Sequence, residues 1–148
     1  MNNVVYLLLA LLLGMLLSLQ SGANGVLGRT LGSPYVATLV VFGVAALGML
    51  ALLGGQRAPL PALATFGQVP WWGWLGGLIA VANILGFIVL PPKIGLGSLI
   101  GLFIVGQLAA SLVVDHFGWL QFPVHPLNGW RLLGLSLLVA GVFLIKKF

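Results

Sequence analysis

Three sets of polar side chains interrupt an otherwise apolar chain. Gln20 and Asn24 stand four residues apart, Gln107, Ser111 and Asp115 step by four, and Asn83 is a lone amide amid Val81, Ile84 and Leu85. A four-residue step stacks side chains on one helix face, so the first set is an amide pair and the second a polar stripe. Amides and hydroxyls donate and accept hydrogen bonds without a change of charge. Inside a membrane they either line a solute path or bond to neighbouring helices, and the spacing is compatible with both. Asp115 is the one acid in the chain. A lone carboxylate can pair with a cation, or carry a proton if burial lifts its pKa toward neutrality. The plainer expectation is an interfacial residue at the end of its helix, bonded to the loop that follows.

Other chemistry is scarce. His116 and His125 lack a third ligand, so they read as loop histidines and no metal site is expected. There is no Cys, hence no disulfide, thiolate ligand or cysteine nucleophile. One carboxylate does not supply paired acid and base, and neither a phosphate-binding loop, a dinucleotide fingerprint nor a nucleophile elbow occurs. The expectation is a protein without catalytic residues or cofactor.

The elements that position these groups must be membrane helices. Of 148 residues, 61% are hydrophobic and 5% are charged, too few polar groups to coat a soluble domain. A spanning helix needs about 20 apolar residues. The runs place spans at residues 4–28, 34–53, 72–90, 94–114 and 130–145, in one all-α domain over residues 1–148. The strongly apolar part of the first, Val4 to Leu19, is short, so Gln20 to Gly28 should continue that helix within the membrane. A signal peptide is not expected there, because no Lys or Arg precedes the apolar run. Ser33 and Pro34 read as N-cap and first residue of the second span, and Trp71, Trp72 and Trp74 as an aromatic belt at the third. Pro91-Pro92 stops the third span, and the short turn after it makes the third and fourth spans antiparallel neighbours. The core of the fifth, Leu132 to Ile145, has only 14 residues, which calls for snorkelling by Arg131 and the terminal lysines or for a thinner bilayer. Small residues form two further faces: Gly14, Ser18, Gly22 and Gly25 on the first span, and Gly97 with Gly101 on the fourth.

The formal charge of +5 does not point to nucleic acid, because the bases are scattered at span ends. Five spans put the termini on opposite sides. Arg57 and Arg131 then share one side, and Arg29, Lys93, Lys146 and Lys147 the other. The difference, 4 − 2 = 2, favours a cytoplasmic C-terminus so weakly that insertion in both orientations is expected.

Several stretches together resemble a known family: QSGANGVLGRTLGSP from Gln20 to Pro34, PWWGWLGG from Pro70 to Gly77, GQLAASLVVDHFG from Gly106 to Gly118, then Gly134 and Ala140-Gly141-Val142. They are similar to the small five-helix bacterial inner-membrane proteins of the drug/metabolite transporter superfamily, and the likeness covers nearly the whole chain. It implies that two five-helix units pair in opposite orientations, a homodimer with ten helices in inverted repeat, with a substrate path between them. It also implies an exporter or facilitator of small solutes. The related small multidrug resistance proteins couple to protons through a first-helix glutamate. Here no acid stands there, and Gln20 cannot exchange a proton. The expected function is therefore secondary transport of a small organic solute or ion across the bilayer, with Gln20, Asn24, Asn83, Gln107 and Ser111 lining the path and Asp115 as a cation or proton site. The alternative is a non-transporting helix bundle that stabilises a partner membrane protein through its glycine faces. A wet polar cavity separates the first from the second.

Overall fold

The computed structural model describes residues 3–57 and 59–148. It is helical throughout, with five long helices: α1 (Asn3–Thr30), α2 (Pro34–Gln56), α3 (Leu75–Val89), α4 (Leu96–Phe117) and α5 (Gly129–Lys147). Each is long and apolar enough to cross a membrane, α3 doing so together with the 3-10 turn Trp71–Trp74 that leads into it. No β-strand occurs among the described residues.

Contacts divide the chain into two compact units, Met1–Val89 and Leu90–Phe148. In the first, α1 runs unbroken through Gln20 and Asn24 to Thr30. At 1.5 Å per residue its 28 residues span about 42 Å, more than a hydrocarbon core requires. The helix closes where Gly32 turns to φ 65, with its N–H donating to the Arg29 carbonyl. Glycine takes that left-handed conformation without steric cost. Ser33 then caps α2, its hydroxyl accepting from the Val36 N–H at 3.3 Å, and Pro34 follows at the first helical position. α2 runs past Gly54-Gly55 and closes at Arg57, which is itself left-handed with φ 49.

α1, α2 and α3 pack against one another. Gly28 sets the approach: a Cβ built there would lie 2.5 Å from Cγ2 of Ile88 on α3 and 4.0 Å from Cβ of Ala37 on α2. Ala37, Thr38, Phe87 and Ile88 are buried around this crossing. The Thr38 hydroxyl is satisfied within its own helix, donating to the Pro34 carbonyl at 2.8 Å. By contrast Gly14 and Gly22, on the small face read from the sequence, have nothing within 4 Å. The close contact of α1 runs through Gly28, three residues beyond Gly25 and about 60° around the helix from it.

The second unit begins with the helical turn Pro91–Ile94. Gly95, at φ 82 and ψ 147, breaks it from α4, so this helix starts at Leu96, two residues after the start read from the sequence. α4 and α5 form a packed hairpin in which the Gly97 and Gly101 ridge receives α5. A Cβ on Gly101 would stand 2.8 Å from Cγ2 of Val142, and one on Gly97 would stand 3.9 Å from Cγ2 of Ile145. α5 is capped by Asn128, whose side chain accepts from the Arg131 N–H at 2.9 Å. Its 19 residues rise about 28 Å and take in Arg131 in the first turn and Lys146 and Lys147 in the last.

Candidate functional site

The amide pair on α1 lines a groove between α1 and α2. Gln20, Ala23, Asn24 and Leu27 face Val40, Val41, Val44 and Ala45 across a cavity of about 440 Å³. These α1 positions recur at three- and four-residue steps, which places them in one stripe. Within it the two amides differ: Gln20 is exposed, whereas Asn24 is buried at 7% exposure. Asn24 Nδ2 has no hydrogen-bond partner, and neither has Oγ of the adjacent buried Ser21. A buried, unsatisfied donor costs about 1–3 kcal/mol, and a membrane core offers no bulk water to relieve it. Ser21 escaped notice in the sequence because serines in membrane helices ordinarily bond back to their own helix. Here Ser111 and Ser136 do so, donating to the carbonyls of Leu108 and Leu132 at 2.9 Å each.

The α4 stripe is only partly kept together. Ser111 and Asp115 line a second cavity of about 310 Å³ with Leu108, Leu112, Arg131, Gly134 and Leu135. Gln107 is exposed and does not line it. Asn83, on α3, is exposed and lines neither cavity.

Asp115 has a partner in its own hairpin. Its Oδ2 lies 3.4 Å from Nη1 of Arg131, with both side chains one-third exposed. The same guanidinium nitrogen donates to the His125 carbonyl at 3.1 Å, and the Asp115 carbonyl accepts from the His125 N–H at 2.8 Å. One residue on, His116 Nδ1 accepts from the Leu127 N–H at 3.1 Å. These four contacts fasten the segment 118–128 across the ends of α4 and α5. Through them Asp115 is bonded both to the loop that follows α4 and to the first turn of α5. Arg131 read as a topology marker in the sequence; its pairing depends on the hairpin bringing the end of one helix to the start of the next, sixteen residues along. His116 stands in the last turn of α4, not in the loop as read from the sequence, whereas His125 lies within the loop; among the described residues no group of three or more His, Cys, Asp or Glu is placed to hold a metal ion.

One unit thus carries a groove bearing two amides and no charged group, and the other a cavity lined by an ion pair. Residues 5–144 match the model of a family described as "Putative inner membrane exporter, YdcZ". No curated protein and no solved structure matches the chain.

Proposed function

Because this chain belongs to the YdcZ family, we propose that it is a secondary exporter of a small organic solute, working as an antiparallel homodimer inserted in both orientations. It is an integral protein of the inner membrane, of transporter type, with five membrane-spanning helices. The observation that carries the proposal is the α1–α2 groove, where an apolar wall surrounds the Gln20 amide and the Asn24 amide, whose nitrogen has no hydrogen-bond partner. A helix bundle that served only as a packing partner gains nothing from a buried donor without an acceptor.

The dimer supplies what five helices lack. An odd number of spans in two opposed copies makes the inverted repeat through which alternating access operates. The small charge difference between the two sides supports insertion both ways. In this assembly Gln20 and Asn24 hold the solute, while the exposed amides Asn83 and Gln107, with Ser111, line the rest of the path.

Flux in proteoliposomes tests the reading. Gln20→Leu and Gln107→Leu each remove a hydrogen-bonding amide at nearly constant bulk, and each is expected to cut flux at least tenfold with folded protein still in the membrane. If both variants transport normally, these amides are packing groups and the path lies elsewhere.

A further inference from the structure

Resting on that transport reading, we infer that the α1–α2 groove takes an uncharged amphiphile whose polar head carries a carbonyl or hydroxyl oxygen. The apolar part of the ligand is set by the wall, where Leu27, Val40, Val41 and Val44 offer only hydrocarbon. The head is set by Asn24. Its Nδ2 is a donor without an acceptor, and an acceptor oxygen is the group that satisfies it. Gln20 adds a second, exposed amide one helical turn away.

Charge decides the remainder of the class. Residues 3–89 contain no Asp or Glu, and their only bases are Arg29 and Arg57. Arg29 lies about 180° around α1 from Gln20 at 100° per residue. Its Nη1 is 3.6 Å from where a Cβ on Gly25 would stand, and Arg29 is absent from the groove lining. Arg57 follows the end of α2, about 18 Å beyond Ala45. An ammonium ion entering the groove meets no anion, and a carboxylate meets no cation. Either would be desolvated without a partner, which apolar surroundings strongly disfavour. The volume, about 440 Å³, suits a small organic molecule.

The test uses three probes with the same six-carbon tail, N-hexylacetamide, hexylammonium and hexanoate, and the full-length protein in lipid nanodiscs. Saturation-transfer NMR against empty nanodiscs reads binding. The acetamide is expected to bind at least tenfold more tightly than either ion. Asn24→Leu is expected to weaken it tenfold or more, and Val44→Trp, which fills the groove from α2, to abolish it. Equal or tighter binding of an ion overturns the inference. So does wild-type acetamide binding by both variants, which marks partition into lipid, or a Cys at position 44 cross-linking to a second copy, which marks the groove as an interface. Acetamide binding with this profile but without flux in liposomes overturns the transport reading and leaves the site standing. Flux that prefers an ion does the reverse.

Discussion

Asp115 and Asn24 are both polar residues near a cavity, yet they do opposite things. Asp115 is spent on local order: Arg131 faces its carboxylate and His125 takes its carbonyl. An ion pair one-third exposed contributes on the order of 0.5 kcal/mol by itself. The larger effect of Asp115→Ala is release of Arg131, which also holds His125. We expect the variant to speed hydrogen exchange at the His125 amide and to open segment 118–128 to protease, while five-helix protein persists. In a double-mutant cycle with Arg131→Leu, a coupling of about 0.5 kcal/mol or more is expected; additive losses would mean the two side chains act separately. Asn24 satisfies nothing in its own chain through Nδ2. Replacing it by Leu should therefore leave thermal stability unchanged or raised by about 1 kcal/mol, because a buried orphan donor is removed. A clear loss of stability would show that the amide has a structural partner.

The helices themselves were largely legible in the chain. Length and hydropathy marked five spans because a bilayer asks only for about 20 apolar residues in a row. The cap at Ser33 and the ridge at Gly97 and Gly101 could be read because each depends on a few neighbouring residues. What could not be read depends on which face meets which helix. Nothing local distinguishes Gln20, exposed, from Asn24, buried, or reveals that Gly28 rather than Gly22 touches a neighbour. For the same reason Asp115 was visible as the only acid while its partner was not. The hairpin of α4 and α5 offers a direct test of the ridge. Gly101→Ala puts a methyl 2.8 Å from Cγ2 of Val142, a branched side chain with little freedom to retreat. A loss of about 1–3 kcal/mol in unfolding free energy is expected, largely restored by adding Val142→Ala. Unimpaired stability of the single variant would mean that α5 shifts easily along α4.

For the whole molecule, charge placement governs orientation. Removing Arg57 by Arg57→Gln changes the count between the two sides to 4 − 1 = 3 and should drive insertion toward a cytoplasmic C-terminus. C-terminal reporters should be active on both sides for the natural chain and chiefly on the cytoplasmic side for the variant. Activity on one side only for the natural chain would leave the antiparallel dimer without support. If the dimer requires both orientations, flux should fall in the variant and return when a chain biased the other way is co-expressed. The groove between α1 and α2 adds an electrical consequence. One elementary charge crossing the membrane is worth about 2.3 kcal/mol per 100 mV. A site without a fixed charge that carries a neutral solute moves none, so the potential across the membrane has nothing to act on. Flux should then stay constant when a potassium gradient with valinomycin sets the liposome voltage to either sign. The export rate would follow the concentration of solute alone, in energised and de-energised cells alike.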